Sequence, residues 1–123
     1  MTRTKADRQM SYHAGLSAEQ RIAQDYERRG FVVARRRWRG AGGEIDLITR
    51  NSEGLVFVEV KQSRTFARAA ERLSRRQMDR IYASAAQFLA GEPGGQLTNA
   101  RFDVALVDQV GQFEIIENAF GLG

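Results

Sequence analysis

Apolar residues recur along this chain with two different periods, and the changes of period outline its elements. Between about Leu16 and Arg29, the apolar positions Ile22, Ala23 and Tyr26 share one stripe at helical spacing. Ser17 is placed to cap that helix and Gly30 to end it. Phe31-Val32-Val33-Ala34 reads as a first strand that ends in Arg35-Arg36-Arg37-Trp38-Arg39. Two longer apolar runs follow, Ile45-Asp46-Leu47-Ile48 and Leu55-Val56-Phe57-Val58-Glu59-Val60. Asn51-Ser52-Glu53-Gly54 separates them and predicts a hairpin turn. The second run is apolar on both faces, with Leu55 and Phe57 on one and Val56, Val58 and Val60 on the other. That pattern marks a strand in the middle of a sheet.

After Lys61 the chain turns polar as far as Arg68. A second helix is predicted from its cap, Ser74, to Ala90, with Met78, Ile81, Tyr82, Ala85, Phe88 and Leu89 as its buried stripe. Gly91-Glu92-Pro93-Gly94-Gly95 is a loop, and Phe102–Val107 and Phe113–Ile116 read as two more strands. The order helix, three strands, helix, two strands (α-β-β-β-α-β-β) predicts an α/β fold, a mixed β-sheet flanked by helices. The first residues are polar and without periodicity. A flexible tail over residues 1–12 is expected, ahead of a single domain over 13–123.

Composition narrows the chemistry by exclusion. There is no cysteine, so disulfides, thiolate metal sites and cysteine nucleophiles are ruled out. With His13 the one histidine among 123 residues, imidazole-based metal sites and triads are not expected. No apolar run reaches membrane-spanning length, and Met1-Thr2-Arg3-Thr4-Lys5 leads into no apolar signal core. A cytoplasmic protein with no membrane partner is therefore expected.

Charge adds a direction. The chain carries a net +4, and of its 19 basic residues only Lys5 and Lys61 are lysines. Residues 64–80 hold six arginines against Glu71 and Asp79, whereas residues 101–123 hold Arg101 against four acids. A basic middle and an acidic end suggest one face built for a polyanion, most simply nucleic acid. Arg36, Arg37 and Arg39 around Trp38, together with Arg64, are candidate phosphate contacts, and the indole could pack or stack on a base. Arg75, Arg76 and Arg80 crowd the start of the second helix, where cations oppose the macrodipole and a phosphate would relieve them. Solvated arginines on an ordinary basic protein explain the same charge, and charge alone does not choose between the two.

The sharper signal lies in the hairpin. Glu59 and Lys61 share a face at the end of the doubly apolar strand, and Asp46 sits in the apolar run across the turn. Burying such charges is expensive unless they pair or hold a metal. Two carboxylates on neighbouring strands can address one point, and Glu19, on the inward stripe of the first helix, can supply a third. Glu19 taken alone also reads as a first-turn acid favoured by the helix dipole. Oxygen-only donors suit a hard cation, Mg²⁺ or Mn²⁺. Such an ion polarises a phosphodiester and lowers the pKa of a water. Lys61 would then position or deprotonate that water, or neutralise charge developing on phosphorus. A sequence that otherwise uses arginine places a lysine there, where a compact, adjustable ammonium is useful. The tight link Gly40-Ala41-Gly42-Gly43 has no helix after it and is not a phosphate-binding glycine loop.

Gly42-Gly43-Glu44-Ile45-Asp46-Leu47-Ile48 followed by Val56-Phe57-Val58-Glu59-Val60-Lys61 resembles the signature of the YraN family of small bacterial endonuclease-like proteins. That family is part of the PD-(D/E)xK nuclease superfamily and is distantly related to Holliday junction resolvases. Glu19, Arg101-Phe102-Asp103-Val104 and Asn118-Ala119-Phe120 match in order, so the resemblance covers nearly the whole chain after the tail. It implies a restriction-endonuclease-like core with Asp46 and Glu59 as metal ligands, Lys61 as the catalytic lysine and Glu19 as the helix acid. The backbone carbonyl of Val60 is implied as a further ligand. Gln77 falls where the family usually has lysine and other branches of the superfamily use glutamine. Gln62-Ser63 stand in place of the usual Thr-Arg.

The expected function is a Mg²⁺- or Mn²⁺-dependent endonuclease hydrolysing DNA, including branched or single-stranded forms. A nuclease fold that binds nucleic acid or another protein without cutting is the alternative. The oligomeric state is open, with a homodimer as one form. A double-stranded-RNA-binding module is a third reading, since helix, three strands and a helix with a basic start is its order. The two inward carboxylates and the strands after the second helix argue against it.

Overall fold

A computed structural model describes the backbone of residues 5–119 and the side chains of residues 17–119. The first helix, α1, runs Lys5–Arg28 and so begins well before the expected Leu16. Ser17 therefore lies inside the helix and not at its N-cap. Residues 5–12, expected within a flexible tail, carry helical backbone, while residues 1–4 and Phe120 fall outside the described residues. The missed extension has a simple cause. Helix-forming residues such as Ala6, Arg8, Gln9 and Met10 continue a helix without showing an apolar stripe. At the other end Gly30, at φ 92°, closes the helix as expected.

Strand β1 (Val32–Gly40) is longer than predicted, because the arginine run lies within it and not beyond its end. It continues through β2 (Gly43–Asn51), β3 (Gly54–Gln62), a short helix α2 (Phe66–Glu71), α3 (Arg75–Ala90), β4 (Ala100–Val107) and β5 (Phe113–Ile116). The hairpin turn is held as its sequence suggests, with Asn51 Oδ1 accepting the amides of Glu53 and Gly54. Ser74 caps α3, its Oγ accepting the Gln77 amide at 3.1 Å. The helix α2, capped by Thr65, was not predicted, since six residues are too few to show a period.

The five strands form one mixed sheet in the order β1-β2-β3-β4-β5. Neighbours are antiparallel except β3 and β4, which run parallel with α2 and α3 as their crossover. This is an α/β fold with the arrangement of a restriction-endonuclease-like core. β3 is central and buried on both faces, as its doubly apolar pattern predicts. A double-stranded-RNA-binding module would leave β3 at the sheet's edge, so that reading is set aside.

Helix α3 covers one face of the sheet through Ile81 and Ala85 against Ile45, Ile48, Phe57 and Phe102. Helix α1 covers the other through Ala18, Ile22, Ala23 and Tyr26 against Leu47, Val56, Val58 and Ala105. Trp38 packs edge-on against Phe88 of α3, with ring centroids 5.3 Å apart, so the indole is a core contact and not a base platform. A buried acid on β4, in register with Val58 of β3, ties the layers together. Asp103 on β4, fully buried, accepts from Tyr26 Oη at 2.6 Å, from Arg101 Nε at 3.1 Å and from the Asn118 amide at 3.0 Å.

Candidate functional site

The site grows out of a fork in the sheet. The ladder between β2 and β3 runs from the Asn51–Gly54 pair to Leu47–Val58 and goes no further. On either side the pairing continues, β1 with β2 as far as Gly40–Gly43 and β3 with β4 as far as Gln62–Val107. Strands β2 and β3 thus part just where Asp46 and Glu59 lie. An irregularity in β2 marks the same place. Ile45 and Ile48, three residues apart, both face α3, although strict alternation would put them on opposite faces.

The two acids fill the fork. Asp46 Oδ2 accepts the Val60 amide at 2.8 Å, and Glu59 Oε1 accepts the Asp46 amide at 3.3 Å. Each carboxylate is therefore held by the opposite strand's backbone, and Glu59 is only 3 % exposed. Burial pushes the Asp46 carboxyl up to about 6. The charges of Glu19 and Glu44 push the same way, while the Val60 amide and Lys61 oppose them. Burial, followed by the neighbouring Asp46 charge, pushes Glu59 up to about 8 against the Asp46 amide and Lys61. Both carboxyls thus hold a proton more tightly than a free side chain does.

Lys61 is half-buried at the end of β3, and its charge favours the ionised form of both acids. Among the described residues, no ion pair or hydrogen bond ties up its ammonium. Glu19 lies near enough for its charge to act on both acids, but its carboxylate is gripped by Arg37, Nε to Oε2 at 3.0 Å and Nη2 to Oε1 at 3.2 Å. Among the described residues, no group of three or more acidic or imidazole side chains converges. The fork itself presents two carboxylates. That number suits Mg²⁺ or Mn²⁺, which bind through one or two carboxylates and keep several waters. The donor chemistry, oxygen only, fits such an ion.

The remaining predicted residues form the surroundings. Arg36 and Arg39 are exposed on β1, and Arg39 pairs loosely with Glu44 at 3.7 Å. Arg64 is exposed in the loop after β3. On the first turns of α3, Arg75 pairs with Asp79 at 3.7 Å, and Arg76 and Arg80 are exposed. Gln77 and Arg80 line a pocket of about 130 Å³ with Gly42, Gly43 and Glu44, which brings the start of α3 against the start of β2. Glycine is required at this approach, because a Cβ on Gly42 would stand 2.3 Å from the Arg80 carbonyl oxygen. No ion pair or hydrogen bond joins Arg36, Arg64, Arg76 or Arg80 to the acid pair among the described residues.

Two residues of the site were not anticipated. Glu44, two positions before Asp46, adds to the repulsion on it, and the period of two along the strand was a signal for this. Ser84 is fully buried in α3 and donates its Oγ–H to the Gly43 carbonyl at 2.8 Å, pinning the start of β2. Its place between Ile81 and Ala85 on the inward stripe was the available sign.

The fold and the fork define a small α/β protein with a buried glutamate, a half-buried aspartate and a neighbouring lysine where two inner strands of a mixed sheet part. The chain belongs to the uncharacterised protein family UPF0102, whose profile matches residues 18–107. It is 63 % identical over 112 residues to a UPF0102 protein of Cereibacter sphaeroides strain KD131, covering 91 % of this chain and 96 % of that one. A UPF0102 protein of Ruegeria pomeroyi is 66 % identical over 110 residues, 89 % of each chain. One from Dinoroseobacter shibae is 45 % identical over 105 residues, covering 85 % of this chain and 78 % of the relative. The matched span contains every residue of the fork.

Proposed function

We propose that this protein is a metal-dependent endonuclease that hydrolyses DNA phosphodiester bonds. The observation that carries the reading is the reciprocal hold on Asp46 and Glu59 at the fork, with Lys61 beside them. Two neighbouring carboxyls with raised proton affinity are a costly way to accept two backbone amides, and a bound cation would offset that cost. The resemblance of this stretch to the YraN family and the PD-(D/E)xK superfamily supports the same assignment. Mg²⁺ or Mn²⁺ held by Asp46 and Glu59, with the Val60 carbonyl as a further oxygen, supplies the Lewis acidity that phosphodiester hydrolysis needs.

The chain's own residues do the rest. Asp46 and Glu59 enter the reaction ionised and are kept in place by backbone amides. Lys61 stands where it orients or deprotonates the attacking water, or neutralises charge on phosphorus. Arg36, Arg39, Arg64, Arg75, Arg76 and Arg80, with Gln77, form a rim that grips the flanking phosphates.

A second reading has one observation in its favour. Glu19 is held by Arg37 and not aimed at the pair, as a nuclease fold that binds DNA without cutting would allow. Incubating the protein with linear, flap and four-way DNA in Mg²⁺ or Mn²⁺ separates the two. Cleavage that disappears in Asp46→Ala, Glu59→Ala and Lys61→Ala supports the nuclease. Binding without cutting supports the alternative, and cutting that survives these substitutions removes the site assignment.

A further inference from the structure

The metal-site reading leaves unexplained why Glu19, whose charge reaches both acids, is turned to an arginine instead. The strand opposite the site carries the answer. Arg36 pairs with Leu47 and Trp38 with Ile45, so Arg37 stands directly across from Asp46. Its backbone is left-handed, at φ 50°, in the middle of a strand. Side-chain-bearing residues rarely adopt that conformation, and it persists only where the surroundings impose it. From this position the guanidinium reaches α1 and grips Glu19 with two near-parallel contacts of 3.0 and 3.2 Å. The Glu19 side chain is only 17 % exposed, whereas that of Arg37 is 39 % exposed, so the guanidinium is open to an incoming anion.

We propose that Arg37 is a latch on Glu19. It holds the helix carboxylate away from the metal position, and yields it when a substrate phosphodiester takes the guanidinium instead. The latch rests on the metal-site reading above. The chemistry is one of exchange between like partners, because carboxylate and phosphate both match the planar fork of a guanidinium. A phosphodiester drawn to the fork by the cation lies beside Asp46, and hence beside Arg37. Once Arg37 turns to it, Glu19 is left as an uncompensated, largely buried carboxylate next to a divalent cation, and it becomes a third oxygen donor. Substrate binding thereby completes the metal site. Arg37 is in this sense a positioning residue, since it acts on the metal through Glu19.

The test is Mn²⁺ affinity, measured by calorimetry on the full chain without nucleic acid. Arg37→Gln frees Glu19 and is expected to bind Mn²⁺ about fivefold tighter or more, the lower end of coupling between linked sites. Combined with Glu19→Gln the gain disappears. In the wild type, a short phosphorothioate DNA raises Mn²⁺ affinity by a similar factor, and Glu19→Gln removes that increase. Arg37→Lys keeps the positive charge but loses the two-pronged grip. It is expected to bind more tightly than wild type and carries the test if Arg37→Gln does not fold. A gain that persists alongside Glu19→Gln reflects charge removal alone and overturns the latch, as does unchanged or weaker binding in the Arg37 variants. Mn²⁺ binding that needs Asp46 but ignores Arg37 overturns the latch and leaves the site standing. No Mn²⁺ binding in any form overturns both.

Discussion

Asp46 and Glu59 each take the place of a rung in the ladder between their own strands, Asp46 accepting the Val60 amide at 2.8 Å and Glu59 the Asp46 amide at 3.3 Å. The same atoms that could bind a cation are thus positioned by main chain, the most rigid support a small sheet offers. Where the ladder ends, the acids begin. The arrangement explains how two charges lie in an otherwise apolar hairpin without disordering it.

It also carries a cost that depends on pH. Both acids have raised proton affinity in the folded chain, so each favours folding at pH below its unfolded value near 4, and that contribution is lost as pH rises through about 6 for Asp46 and about 8 for Glu59. Glu59→Gln keeps the acceptor oxygen and removes the charge. Without divalent metal it is expected to be more stable than wild type at pH 8 by on the order of 1–3 kcal/mol, with little difference at pH 4. Thermal melts at the two pH values in a chelator check this. A variant no more stable at pH 8 than at pH 4, relative to wild type, contradicts the burial of an ionised pair.

Asp103 is the acid whose purpose is structural. It is fully buried and accepts from Tyr26, Arg101 and Asn118, and burial, then the bond to Asp103, drives the Tyr26 hydroxyl well above its usual range. Asp103→Ala leaves Arg101 and Tyr26 without this partner and is expected to destabilise by about 3–5 kcal/mol. Tyr26→Phe, which removes one donor, is expected to cost about 1–2 kcal/mol. Denaturant titration measures both. Mn²⁺ affinity of the folded Tyr26→Phe protein should equal that of wild type.

How much of this was legible beforehand divides along physical lines. The hairpin, its turn, the cap at Ser74 and the stripe on α3 all follow from local spacing and were readable. So was the pairing of Asp46 with Glu59, because two apolar strands joined by a short turn leave little freedom of register. The first helix extended beyond its apolar stripe, where propensity alone sustains it. The arginine run proved to be strand, with Trp38 turned into the core, because packing against Phe88 outweighed its polar neighbours. The Glu19–Arg37 pairing joins residues eighteen positions apart through a left-handed backbone, and no periodicity foretells that.

The close approach of β2 to α3 gives a further expectation. Gly42→Ala places a methyl 2.3 Å from the Arg80 carbonyl, a backbone atom that cannot swing aside. A loss of about 1–3 kcal/mol in stability is expected, as for other overpacked sites. Because the displaced segment leads into Asp46, Mn²⁺ affinity should fall as well. Gly43→Ala meets no atom within 4 Å, yet Gly43 has φ 134°, so it is expected to lose stability through backbone strain and not through a clash. Equal stability of Gly42→Ala and wild type would show that α3 shifts freely, contrary to the packing.

The arginine rim predicts a salt signature. Arg76→Ala and Arg80→Ala should each weaken DNA binding uniformly across sequences and reduce the slope of log K against log salt by about 0.9. Fluorescence anisotropy over a range of salt concentrations reads this directly. An unchanged slope for both places the DNA elsewhere on the molecule.

The proposed activity requires that Asp46 and Glu59 share a divalent cation. A crystal soaked in Mn²⁺ and measured at the manganese absorption edge tests it without reference to activity. An anomalous peak is expected at the β2–β3 fork, about 2.1 Å from a carboxylate oxygen of each acid, and none in Asp46→Asn. No peak at the fork, or one held by other side chains, contradicts it.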